Sequence, residues 1–168
     1  MSKRMAYKDY TLKAKVDDPG KLEIILLELG ATFKGVDHQK DTYFKTDTGK
    51  LKHRKGTIEN LITHYERMDE GEIEKTIVYQ YDVNPDTIQL DNLYKNPVIG
   101  IVEKTRKIYF LGIVKIHLDT TSNHLHYIEI EAIDTLNELS NEDLRRQCLS
   151  IKDNLKIKDT DLIKTGYL

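Results

Sequence analysis

The amino-acid sequence predicts an α+β protein: an eight-stranded antiparallel β-barrel, closed or nearly closed, with helices packed outside. Three observations carry that expectation. Charged residues recur at every second position in short segments: Lys13 and Lys15; Lys50, Lys52 and Arg54; Lys104 and Arg106; Lys115, His117 and Asp119; Glu129 and Glu131. Side chains of a strand alternate between its two faces, so each set lies along one face, with mostly apolar or neutral residues on the other. The extended segments are joined mostly by short turns, which require antiparallel pairing. Strands and helices do not alternate regularly, which excludes a doubly wound parallel sheet. One such strand would be a solvated edge. Five, with cations on some and carboxylates on others, point to a polar interior suited to a large anion and its metal ions.

In chain order, residues 7–16 read as a strand. Asp17 and Asp18 before Pro19 form a helix start, an acidic cap followed by proline in the first turn. Leu22, Ile25, Leu26 and Leu29 keep helical spacing, and Gly30 ends that helix. Residues 33–45 return to extended structure with an expected bend near Val36–Lys40. Asp47-Thr48-Gly49 is a hairpin turn. Residues 50–56, 60–68 and 73–83 are three further strands. A short helix spans 86–95, bracketed by Pro85 and Pro97. Residues 98–110, 113–121 and 125–134 form strands linked by Leu111-Gly112 and Ser122-Asn123. Ser140 caps a helix with Glu142 and Asp143 in its first turn, reaching about Leu155. An extended piece is expected over 160–167.

The chain has 168 residues, 39% hydrophobic and 32% charged. That suits a single domain over 1–168, although the charge exceeds the usual one quarter or so. The formal net charge of −2 disfavours binding to nucleic acid. Cys148 is the only cysteine, which excludes a disulfide framework and a thiolate zinc site; its helical setting suggests a buried thiol. No apolar run is long enough for a signal peptide or a membrane span. The expected location is the cytoplasm.

Several blocks resemble one family. Residues 102–133, VEKTRKIYFLGIVKIHLDTTSNHLHYIEIEAI, follow the order K-x-R, I-Y-F-x-G turn, H-x-D strand and F-x-E-I-E. Asp41, Tyr43 and Phe44 followed by Leu51-Lys52-His53-Arg54 are similar to D-x-Y-F and L-K-L-R. Leu61-Ile62-Thr63-His64-Tyr65-Glu66-Arg67 looks like an L-I-x-Y-x-R strand, and Asp161-Leu162-Ile163 with Tyr167 is similar to the family's ending. Together they resemble the CYTH superfamily, the triphosphate tunnel metalloenzymes, and within it the CyaB-like class IV adenylyl cyclases, over nearly the whole chain.

The resemblance implies an eight-stranded tunnel in which acids hold Mg²⁺ or Mn²⁺ and basic residues clamp a triphosphate. It assigns phosphate contacts to Lys52, Arg54, Arg67, Lys75, Lys104 and Arg106. Metal-ligand roles go to Glu129, Glu131 and Asp119, and catalytic roles to Lys13 and Asp9. The partner is then a nucleoside triphosphate or another triphosphate, with neither nucleic acid nor membrane, and a monomer or a homodimer both open. Arg forks suit phosphate oxygens, Lys acts as a point charge, and magnesium prefers oxygen ligands.

One departure stands out. The family's first strand carries E-x-E-x-K, or N-x-E-x-K, where this chain has Asp9-Tyr10-Thr11-Leu12-Lys13. Asp9 can replace the first acid with a shorter reach; neutral Thr11 cannot replace the second. His53 stands where an apolar residue is usual. His53 and His64 fall out of phase with the charged faces and read as packing or surface residues. His117 and Asp119 share a face and read either as a pair stabilising the barrel or as part of the metal network. The tyrosines, including Tyr43, Tyr65, Tyr109 and Tyr127, sit on strands, where aromatic residues are common. Three functions remain open: a cyclase making cyclic AMP and pyrophosphate from ATP, favoured by residues 102–133; a hydrolase of thiamine triphosphate, nucleoside triphosphate or tripolyphosphate; and a non-catalytic binding module, favoured by Thr11.

Overall fold

Residues 6–167 are described by the structure, a computed structural model. The elements are β1 (Tyr7–Lys15), α1 (Pro19–Glu28), β2 (Thr32–Phe44), β3 (Lys50–Lys55), β4 (Asn60–Glu70), β5 (Ile73–Val83), α2 (Thr87–Leu93), β6 (Val98–Leu111), β7 (Val114–Thr121), β8 (His126–Asp134), α3 (Asn141–Asn154) and a two-residue β9 (Leu162–Ile163). The strands pair in the order β5-β4-β3-β2-β6-β7-β8-β1, and β1 pairs again with β5, so eight antiparallel strands close into a barrel.

Strand parity sorts the side chains. On β1, β7 and β8, the residues Tyr10, Leu12 and Ala14, Val114, Ile116 and Leu118, and Ile128, Ile130 and Ala132 face outward and are buried. They meet Leu26 of α1 and the stripe Leu144, Cys148, Ile151 and Leu155 of α3, which recurs at helical spacing on one face. The apolar core therefore lies outside the barrel, between its wall and the helices. The Cys148 thiol donates to the Ile130 carbonyl at 3.3 Å, the buried structural role expected of it. A smaller cluster of Phe44, Ile62 and Leu93 packs α2 against β2 and β4.

The helix starts follow the sequence signals. Asp18 accepts from Lys21 N at 3.3 Å, Asp86 forms a capping box with Gln89, and the Ser140 hydroxyl accepts from Asp143 N at 3.0 Å. Gly49 ends the first hairpin turn at φ +64°, where a Cβ would lie 2.1 Å from the Tyr65 carbonyl, so only glycine fits.

Two segments differ from expectation. No bend interrupts 36–40: β2 runs unbroken to Phe44, with register shifts only at Phe33/Gly35 and Tyr43/Phe44. Residues 36–40 pair with Lys104 and its neighbours on β6, and that ladder holds them straight. The final 160–167 stretch is not one strand. A 3₁₀ turn, Asp159–Asp161, precedes β9, and the chain then leaves regular structure. β5 pairs with β1 only as far as Thr11, so β9 covers the edge freed at Lys13 and Ala14. Among the described residues, no helix is long and apolar enough to cross a membrane.

Ile130, fully buried beneath α3, anchors the outer core. Ile130→Ala should lower unfolding stability by about 2–5 kcal/mol, and Ser140→Ala by about 1 kcal/mol, in denaturant titrations.

Candidate active site

The inward faces of the strands form a chamber lined by Asp9, Lys52, Arg54, Arg67, Lys104, Arg106, Glu129 and Glu131 among the expected residues. Lys13 and Asp119 adjoin it through Tyr167, which lines the wall. Lys75 does not join them. On β5 it is out of phase with Thr76 and Val78, which do line the chamber, and the barrel wall separates it from the other cations.

The cationic belt is built around Asp41, a fully buried residue of β2. Arg54 donates to both its carboxylate oxygens at 2.9 Å, Lys104 Nζ lies 2.7 Å from Oδ2, and Lys52 Nζ 3.6 Å away. Burial pushes the Asp41 carboxyl up, but Arg54, Lys52 and Lys104 override it and hold it well below the usual range. The lysines feel the reverse. Burial, then repulsion from Arg54 and Arg106, brings Lys104 down to about 7 despite its bond to Asp41. Burial and Arg54 bring Lys52 down to about 8.

A second group centres on Arg106, whose guanidinium grips Asp119 through two bonds of 2.7 Å. Tyr167 Oη donates to Asp119 at 2.8 Å, and its ring centroid lies 3.0 Å from Lys13 Nζ. Lys13 also donates to the Gly166 carbonyl at 3.1 Å; burial lowers its amine to about 8. Gly166 and Tyr167 thus line this side of the chamber and hold two of the expected functional groups, Lys13 and Asp119.

The acids converge from β1 and β8. Burial and the neighbouring Glu131 carboxylate raise Asp9 well above its ordinary value, while Thr11 donates to Asp9 Oδ1 at 2.9 Å. Glu129 sits 3.6 Å from Arg106 and 3.8 Å from His117 Nδ1. Burial, then Arg106, lowers His117 to about 4, so it is neutral. His117 faces Glu129 rather than pairing with Asp119, whose oxygens bond Arg106 and Tyr167. Among the described residues, no three His, Cys, Asp or Glu side chains form a ready-made metal cage. A divalent cation still fits the donor set. Two carboxylates, Asp9 and Glu131, are crowded enough that one resists ionising, and a cation between them removes that conflict. Magnesium and manganese commonly take one or two carboxylates and complete their shell with water and substrate phosphate.

Several lining residues escaped the strand-alternation reading. Glu59 lies in the β3–β4 turn, where no period marks it. Buried Asp37 holds that turn by accepting from Ile58 N at 2.8 Å and Glu59 N at 3.0 Å. Glu59 then pairs with Lys115 and, at 3.2 Å, with Arg54. Asp41 stood inside a quoted motif without a role, and Tyr167 only as part of an ending. Tyr43 and Tyr65 line the chamber, whereas Tyr109 belongs to the outer core and Tyr127 stacks edge-on against Tyr167. His53 and His64 are packing residues: their rings lie 2.8 Å from Tyr94 Oη and the Thr48 carbonyl.

Removing the Asp41 charge leaves three cations facing one another. Asp41→Asn should cost about 3–5 kcal/mol in unfolding experiments, with tripolyphosphate restoring much of the loss. Lys104 and Lys52 carry depressed values, so at pH 8 a fraction is uncharged; a polyanion favours the charged form. Triphosphate binding at pH 8 should therefore take up protons, seen as a positive slope of calorimetric enthalpy against buffer ionisation enthalpy, and the uptake should fade below pH 6.

Comparison with known proteins agrees with this geometry. The CYTH domain profile matches residues 8–167. No curated protein matches the sequence. Among solved structures, the PH1012 protein of Pyrococcus horikoshii is 24% identical with a TM-score of 0.75, the match covering 95% of this chain and 96% of that one. A candidate adenylate cyclase of Vibrio parahaemolyticus is 15% identical with a TM-score of 0.74, covering 98% and 97%. The Hippeastrum protein HpAC1, a candidate adenylyl cyclase described as having a dominant triphosphatase activity, is 11% identical with a TM-score of 0.60, covering 95% and 92%. At these identities the structures share the fold. With the profile spanning nearly every residue of a barrel whose interior is charged in this pattern, the chain belongs to the CYTH domain family.

Proposed function

We propose that this protein is a divalent-metal-dependent enzyme acting on a nucleoside triphosphate, converting ATP to cyclic AMP and pyrophosphate. The observation that carries this reading is the grading of the chamber. Cations gather around Asp41 and Asp119. The acids Asp9, Glu59 and Glu131 adjoin Tyr7 and Tyr81, whose rings meet edge to face at 5.5 Å. Leu61, Val78 and Ile133 complete that end of the lining. Glu131 and Asp9 are the leading charged neighbours of Tyr7, and Glu59 and Glu131 those of Tyr81, which burial pushes up to about 12. Tyr43, Tyr65 and Tyr167 stand beside the cations, whereas Tyr7 and Tyr81 stand beside acids and aliphatic side chains, a setting of no use to a bare polyphosphate. A nucleoside suits it, and its sugar would then lie beside the acids.

In this reading Lys52, Arg54, Lys104 and Arg106 take the β- and γ-phosphates, exchanging Asp41 and Asp119 for phosphate oxygens, and Arg67 adds a further positive contact. Asp9, Glu129 and Glu131 hold the divalent metal, with Asp119 beside them. A divalent metal held by these residues would supply charge neutralisation for the polyphosphate. The ribose 3′-oxygen forms a bond to the α-phosphorus as the bond to pyrophosphate breaks. Asp9, beside the sugar and with its carboxyl raised well above the ordinary range, accepts the hydroxyl proton, while Lys13, held on the cationic side by Tyr167 and Gly166, adds a positive charge facing the phosphates.

A second reading, hydrolysis of the terminal phosphate, uses the same cationic lining. The Hippeastrum protein, described as a triphosphatase, supports this reading. Thr11, a neutral hydroxyl where the family carries a carboxylate, weakens metal binding and favours binding without turnover.

ATP, GTP, thiamine triphosphate and tripolyphosphate, each with Mg²⁺ and Mn²⁺, separate these readings by product mass. Cyclic AMP with pyrophosphate is the expected outcome; inorganic phosphate without pyrophosphate supports hydrolysis, and binding without turnover makes the chamber a binding module. Arg106→Ala should reduce kcat/KM by at least about a hundredfold, since it removes a preorganised charge facing the transferring group.

A further inference from the structure

His117 projects from β7 into the chamber and is 2% exposed, yet neither of its ring nitrogens makes a hydrogen bond. Buried polar groups are rarely left so, because an unmade hydrogen bond costs desolvation with no return. A neutral imidazole carries one N–H and one bare lone pair. Here the ring stands among carboxylates and two cations, Arg106 and Lys115. Glu129 lies directly across from it on β8, with Oε2 3.8 Å from Nδ1. Glu131 and Glu59 line the same chamber. The nearby cations are engaged: Arg106 grips Asp119, and Lys115 pairs with Glu59. Two ligands of one first-row metal ion, each about 2.0–2.2 Å from it, lie roughly 3.0–3.5 Å apart. The 3.8 Å gap between His117 and Glu129 closes to that spacing with a shift of a few tenths of an ångström.

We propose that His117 is a direct nitrogen ligand of the divalent metal, sharing it with Glu129. This rests on the metal-dependent reading above and deepens it. An imidazole supplies a ligand without supplying charge, so it restores coordination number, though not charge, in a site where Thr11 replaces a carboxylate. It also biases the site: imidazole suits zinc, iron and nickel, and first-row manganese accepts it more readily than magnesium, which favours an all-oxygen shell.

The test is pulsed electron paramagnetic resonance on the full-length protein loaded with Mn²⁺, with and without tripolyphosphate. Wild-type protein should show nitrogen hyperfine coupling to manganese. Ring-¹⁵N histidine labelling should convert that coupling to the ¹⁵N pattern, and His117 is the only histidine lining the chamber among the described residues. His117→Gln should abolish the coupling and weaken Mn²⁺ binding at least about tenfold, while changing Mg²⁺ binding little. Should His117→Gln fail to fold, the labelled wild-type protein decides the matter alone. Bound manganese without a histidine nitrogen coupling overturns the proposal and leaves the metal-dependent reading standing. No manganese bound under either condition overturns both.

Discussion

The chamber depends on the mutual neutralisation of charges that the barrel keeps from bulk water. An isolated buried ion is prohibitively costly, whereas a buried ion with a bonded counter-ion is tolerable. Asp41 is the clearest case. Its carboxylate receives Arg54 and Lys104, with Lys52 close by, in the arrangement a phosphate oxygen would receive. Asp119 does the same for Arg106. Asp41 and Asp119 thus already occupy the donors of the cationic belt. They hold the cations in a fixed geometry, and a polyanion must compete with them for the same donors. Affinity is then set by the difference between two sets of ion pairs, and a single lost carboxylate is felt throughout the belt.

This interior is possible because the apolar core sits elsewhere. Most small barrels fill the lumen with aliphatic side chains. Here the aliphatic rows of β1, β7 and β8 face outward and are covered by α1 and α3. One parity of each strand serves stability and the other serves the site. A one-residue slip of β8 against β1 would exchange Glu129 and Glu131 with Ile128 and Ile130, so the hydrophobic demand of the outer face also fixes the register of the charges. The link between fold and site is this shared pleat.

The sequence made much of this legible. Alternation of charge on Lys52 and Arg54, Lys104 and Arg106, and Glu129 and Glu131 is a local property of extended chain, and these residues all reach the chamber. The same reasoning misplaced Lys75, because a lone cation on a strand has no partner two residues away to establish its face. It also gave no role to Glu59 and Tyr167. One lies in a turn held by Asp37 and the other in an irregular tail, and neither has a period to read.

The sequence by itself determined the strand content, the helix caps and the sorting of most charges onto one face, because those follow from backbone periodicity and from bonds between near neighbours. Only the tertiary structure decided which carboxylate meets which cation, that Tyr167 returns to Lys13 and Asp119, and that His117 stands without a hydrogen bond. Those outcomes depend on closure of the barrel and on contacts between residues far apart in the chain, which no local pattern encodes.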